Sequence, residues 1–137
     1  MSRLLIDTNI VIDLLSKRDE FYDDAADLFS RADKKEIQLT ISSLTFANTN
    51  YILSKLKSAK EARKILRKFK VLVELLSLDD KITELALSDD NFPDFEDGLQ
   101  YYSAIENKIE IIITRNKKNF KNSKIPVLTA KEYLARK

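Results

Sequence analysis

Cysteine and histidine are both missing from the 137-residue chain. Without cysteine there is no disulfide framework, no thiolate zinc site and no sulfur nucleophile, and the composition suits a reducing compartment. Without histidine, a serine-hydrolase triad with an imidazole base cannot be assembled. Proton transfer near neutral pH then falls to carboxylates, lysine or water activated by a metal. Glycine occurs once, as Gly98, and proline twice, as Pro93 and Pro126. This leaves no flexible linker, no low-complexity segment and no glycine-rich loop to cradle phosphates, so Walker-type and Rossmann-type nucleotide sites are not expected. Long apolar runs are missing too: none approaches the ~20 residues of a membrane span. Met1-Ser2-Arg3 leads into a strand-like run rather than a signal-peptide core. The reading is a cytoplasmic protein without membrane contact.

What is present fits one domain over residues 1–137, with a hydrophobic content of 44% that suffices for one ordinary core. The net charge of +2 excludes a polycationic nucleic-acid binder. The charges are unevenly spread. Between Lys55 and Lys70 stand Lys57, Lys60, Arg63, Lys64, Arg67 and Lys68 against the single acid Glu61, whereas Asp79 to Asp97 is mostly acidic. The basic stretch reads either as the solvated face of an amphipathic helix or as an RNA-backbone contact whose strength falls with salt.

Leu4 to Ile6 and Glu110 to Thr114 are apolar runs of the kind found in strands buried on both faces. Gln38 to Ser42 alternates like a strand, and Val71 to Leu76 and Ile125 to Leu128 supply two shorter candidates. Helical spacing recurs over Ile10 to Ser16, Phe21 to Ala32, Leu44 to Leu56, Ser58 to Phe69, the segment after Asp79-Asp80, and Asp94 to Asn107. Thr129-Ala130-Lys131-Glu132 is a capping box that opens a terminal helix. Strands alternating with helices predict an α/β fold, a three-layer α/β/α sandwich around a mainly parallel five-stranded sheet.

Parallel sheets place functional groups outside the carboxyl ends of their strands. The two strongest strands end there in Asp7-Thr8-Asn9 and Thr114-Arg115-Asn116, and the helix starting near Asp94 is expected at the same end. Asp94 and Asp97, three residues apart, can point the same way. Helix capping and dipole complementation explain Asp7, Asn9, Asp94 and Asp97 equally well at this stage, each worth ~1 kcal/mol or less. Gly98 costs a helix ~1 kcal/mol relative to alanine, which points to a close backbone approach. Gathered acids repel one another unless a cation neutralises them, and hard oxygen donors suit Mg²⁺ or Mn²⁺, which pair with phosphoryl chemistry. Tyr101 and Tyr102 suit either helix packing or base stacking, and Phe21 and Phe29 either core packing or a partner contact.

Leu-Leu-Ile-Asp-Thr-Asn, Ile-Ser-Ser-Leu-Thr-Phe-Ala-Asn, Asp-Phe-Glu-Asp-Gly-Leu-Gln and Ile-Ile-Ile-Thr-Arg-Asn, in that order and with Phe120 behind them, resemble the PIN-domain family. The chain length is similar to that of its VapC-type toxins. The resemblance implies a metal-dependent endoribonuclease acting on single-stranded or structured RNA with Mg²⁺ or Mn²⁺, a homodimer, and a cognate antitoxin from a type II toxin–antitoxin pair. Position by position it implies Asp7 and Asp97 as metal-binding acids, with Asn48 and Asn116 in the catalytic group, to which Asp94 is added for its spacing of three from Asp97. Asn9, Thr114 and Arg115 are implied to support the acids and face the substrate. Asn48 stands where most members carry Glu, and an amide brings neither charge nor basicity. Asp94 is one candidate for the missing carboxylate. Asn48 also motivates an alternative, a catalytically weakened PIN-fold module that binds protein or RNA. A third reading, a haloacid-dehalogenase-type phosphatase, rests on Asp7-Thr8-Asn9 being similar to an Asp-x-Asp motif, though Asn9 lacks the second acid.

Overall fold

Leu4, Leu5 and Ile6 carry no group that needs water, and the fold leaves none of them exposed. The computed structural model describes residues 1–136. In it these three residues form the centre of strand β1 (Ser2–Ile6), the middle strand of a sheet ordered β3-β2-β1-β4-β5. The partners are β2 (Ile37–Ser42), β3 (Glu74–Leu76), β4 (Ile111–Ile113) and β5 (Val127–Leu128), and every pairing is parallel. The expected sheet is therefore present and wholly parallel.

Side chains alternate across β1, so Leu4 and Ile6 join one core while Leu5 joins the other. The first core gathers α1 (Thr8–Leu15), α2 (Asp19–Asp33), α3 (Ser43–Leu56), α4 (Ala59–Phe69) and α7 (Ala130–Leu134). The second is built from α6 (Phe95–Glu106) together with Phe92, Ile109 and Phe120, and α5 (Asp80–Ser88) packs on α6 beside it. Three layers result.

One segment departs from the sequence reading. Val71 and Leu72 form a 3-10 turn rather than strand, so β3 begins only at Glu74. Of the two roles open to Tyr101 and Tyr102, the fold uses helix packing: Tyr101 is stacked on Phe92 with ring centroids 4.5 Å apart, and the Tyr102 hydroxyl donates to Asp89 at 2.6 Å. The capping box at Thr129 and Glu132 forms as expected. Because glycine is so scarce, Lys17, Lys35 and Lys108 take the left-handed conformation just past the ends of α1, α2 and α6. Among the described residues no helix is long and apolar enough to cross a membrane.

The chain lays β2 and β3 on one side of β1, then returns to lay β4 and β5 on the other. At such a reversal the connections leave in opposite directions and open a crevice at the carboxyl ends of β1 and β4. Asp7 and Thr114 follow those two strands.

Candidate active site

Asp7 is the N-cap of α1, and its extended backbone turns the carboxylate over the end of β1. Oδ1 accepts from the backbone N–H of Thr8 at 2.8 Å and from Gln100 Nε2 at 3.4 Å. Oδ2 accepts from Thr114 Oγ1 at 2.8 Å and from Asn9 Nδ2 at 3.4 Å. All four donors are neutral. Burial pushes the Asp7 carboxyl above its ordinary range, and the hydrogen bonds from Thr114, the Thr8 N–H and Gln100, together with the field of Arg115, act against that rise.

Thr114 itself is fully buried. Its one hydroxyl proton goes to Asp7, while its oxygen accepts from Asn9 Nδ2 at 3.3 Å and from the Asn116 backbone N–H at 3.0 Å. Asn9 Oδ1 in turn accepts from the Arg115 backbone N–H at 3.3 Å. These contacts lock the ends of β1 and β4 together. They make Thr114 a support for Asp7, out of reach of any substrate.

Asp97 enters from the first turn of α6, whose N-cap is Asp94. It shares with Asp7 a pocket of about 340 Å³, lined also by Asn48, Asp94, Glu96 and Asn116. Burial pushes the Asp97 carboxyl up to about 7, and repulsion from Asp94, Asp7 and Glu96 adds to the rise. The pocket thus concentrates negative charge beyond what its own polar groups offset.

The structure brings Asp7, Asn9, Asn48, Asp94, Asp97 and Asn116 to one pocket. Arg115 is a correction. Its guanidinium does not line the acidic pocket; Nε and Nη2 donate to Asp13 at 2.8 and 3.1 Å, and its face covers the Phe21 ring at 4.0 Å. The cation that does line the pocket is Arg18, which the sequence reading passed over. Asp94 spends one carboxylate oxygen on the cap, accepting from the Glu96 N–H at 2.9 Å. The carboxylate that meets Asn48 is that of Glu96, which accepts from Asn48 Nδ2 at 3.0 Å. Gln100 was missed as well, although its spacing of three from Asp97 and its place between the apolar Leu99 and Tyr101 are signals visible in the sequence.

Hard oxygen donors with unrelieved mutual repulsion are the donor chemistry of a Mg²⁺ or Mn²⁺ site, and Mg²⁺ needs only one or two carboxylates because it keeps several waters. Asp7 and Asp97 meet that requirement. Among the described residues no group of three or more histidine, cysteine or acidic side chains is arranged to enclose an ion. Asp7 and Asp97 are the two residues of the pocket that could hold such a cation, with water completing its shell.

Known proteins resemble this chain in sequence and in fold. Ribonuclease VapC1 of Aquifex aeolicus (strain VF5) is 28% identical over 141 residues, covering 98% of this chain and 94% of that protein. A toxin–antitoxin complex from Klebsiella pneumoniae contains a chain 25% identical with a TM-score of 0.69, over 93% of this chain and 97% of that one. A DNA-bound VapBC structure from Salmonella typhimurium shares the fold, with a TM-score of 0.72 at 17% identity over 95% of this chain and 99% of that one. The family model described as "PIN domain" matches residues 3–118, which hold β2 through β4, all of β1 but Ser2 and every residue of the acidic pocket but Asn119, and this chain belongs to the PIN-domain family.

Proposed function

We propose that the protein is a Mg²⁺- or Mn²⁺-dependent endoribonuclease, the toxin of a toxin–antitoxin pair, acting in the cytoplasm on single-stranded or structured RNA. The observation that carries this reading is the joint presentation of Asp7 and Asp97 to one pocket whose acids repel one another. Those two carboxylates would hold the cation, which supplies the Lewis acidity that phosphodiester hydrolysis needs in a chain without histidine. Asn9 and Thr114 hold Asp7 in place, and Arg18 offers the pocket's guanidinium to a substrate phosphate. The likeness to a chain of a toxin–antitoxin complex supports a protein antitoxin as partner. A homodimer belongs to the same proposal, and light scattering on the purified chain tests it.

The test is cleavage of a mixed RNA pool with Mg²⁺, Mn²⁺ or EDTA, by the natural chain and by Asp7→Asn. Cleavage that needs the metal and disappears in Asp7→Asn is expected. Asn48 favours a second reading, a PIN-fold binding module with a weakened site, because its amide is committed to Glu96 and brings no charge of its own. A natural chain that binds RNA without cutting it, and gains cleavage in Asn48→Glu, would establish that reading instead.

A further inference from the structure

Gln100 is only 3% exposed, and a buried amide must be supplied with partners at both ends. Its partners come from three other elements. At one end the Ser42 hydroxyl lies 2.7 Å from Oε1. That hydroxyl already accepts from the Thr45 backbone N–H at 3.4 Å, so its single proton is free for Gln100, whose Oε1 can only accept. At the other end Nε2 lies 2.9 Å from Thr45 Oγ1 and 3.4 Å from Asp7 Oδ1. An ionised carboxylate accepts only, so a reversed amide would set two oxygens against each other. The carboxylate end therefore sets the orientation, the Ser42 proton completes it at the other end, and one amide hydrogen is directed at Asp7.

This arrangement ties the end of β2, the first turn of α3 and the middle of α6 to the carboxylate at the end of β1. A residue needed only to fill the space between α6 and the sheet would be better apolar, since a buried polar chain adds stability only when every member is satisfied. We propose that Gln100, clamped by Ser42 and Thr45, is a positioning residue of the active site, holding Asp7 Oδ1 in the orientation that a divalent cation requires. The inference rests on the metal-dependent reading above and adds to it a residue that touches neither substrate nor cation. Thr114 and Asn9 restrain Oδ2, and Gln100 with the Thr8 N–H restrains Oδ1, so the carboxylate is held on both sides.

The experiment titrates Mn²⁺ into the natural chain and into Gln100→Met, following free Mn²⁺ by electron paramagnetic resonance, with melting temperatures in EDTA recorded alongside. Methionine keeps the length of the side chain and removes both ends of the clamp. Weakening of Mn²⁺ affinity by about tenfold or more, in a variant still folded in EDTA, is expected, because partners that orient metal ligands carry effects of that size. A second arm needs no change at position 100: the side-chain amide resonances of Gln100 in the metal-free protein should move on Asp7→Asn. Equal Mn²⁺ affinity with and without the amide, or resonances indifferent to Asp7→Asn, would overturn this inference alone. A natural chain that binds no Mn²⁺ would overturn the nuclease reading and this inference with it.

Discussion

Helix α1 carries two acids that the fold draws in from solvent, Asp7 at its cap and Asp13 near its far end, and they are treated in opposite ways. Asp13 is 1% exposed and neutralised on the spot: Arg115 grips both carboxylate oxygens, and Arg18 stands 3.8 Å from Oδ1. Asp7 receives four hydrogen bonds and, among the described residues, no salt bridge from a cation. A carboxylate paired with a guanidinium has its charge spent inside the protein. One held by neutral donors keeps its charge for something that arrives later. The two sites meet at Arg115, whose side chain serves Asp13 while its backbone N–H braces Asn9 beside Asp7. Unspent charge separates Asp7, the proposed metal ligand, from the structural Asp13 more clearly than burial does.

Asp7→Asn and Asp13→Ala test that contrast most sharply. Asp7→Asn should lower RNA cleavage by roughly 10³-fold, equivalent to about 4 kcal/mol of transition-state stabilisation. Its melting temperature should stay close to that of the natural chain. Asp13→Ala should do the reverse, costing about 3 kcal/mol of stability because the Arg115 guanidinium loses its anion in a partly buried position. Chemical denaturation measures the second effect, and single-turnover cleavage below the melting temperature measures the first. Equal stability losses in the two variants would break the comparison.

The pH dependence follows from the sign of the Asp97 shift. Its carboxyl titrates near 7 in the folded chain against an ordinary 3.8, so the folded state binds the proton more tightly than the unfolded state does. The metal-free protein should therefore gain stability as pH falls from about 8 toward 4, by about 1 kcal/mol from this half-exposed group once solvent screening is allowed for. Asp97→Asn should remove that gain and leave the metal-free protein at pH 8 more stable than the natural chain. Mn²⁺ favours the ionised carboxylates, so its thermal stabilisation should be larger at pH 8 than at pH 6. Melting curves at the two pH values, with Mn²⁺ and with EDTA, measure both effects; a Mn²⁺ shift that is larger at pH 6 would contradict the shared-acid geometry.

Elements whose physics is local were legible in the chain. Unbroken apolar runs marked β1 and β4, the capping box at Thr129 marked α7, and the acids at strand and helix ends marked Asp7 and Asp97. What escaped depends on neighbours distant in sequence. Gln100 meets Ser42 and Asp7 only because β2 lies beside β1 and α6 crosses their ends. Arg115 follows a strand on the pocket side, but a buried acid on α1 claims its guanidinium, and nothing local in the chain announces that pairing. Asp94 and Glu96 are equivalent on paper until the helix begins between them and the first is used as its cap.

Gly98 makes the smallest and most local test, because it separates the pocket from the helix that carries it. The sequence reading connected this glycine with a close backbone approach. A Cβ placed there would meet the Ala86 and Phe92 Cβ atoms at 3.4 and 3.5 Å, ordinary contact against α5 and the turn before α6, and nothing in the acidic pocket. The backbone at Gly98 is not left-handed, so an L side chain brings no strain. Gly98→Ala should then raise stability by about 0.5–1 kcal/mol through helix propensity alone. Mn²⁺ affinity and RNA cleavage should not change, since the added methyl packs against Ala86 and Phe92. A loss of Mn²⁺ affinity in this variant would mean that the first turn of α6 must flex for the two acids to share an ion, and that the charge left unspent at Asp7 depends on movement as well as on its neutral donors.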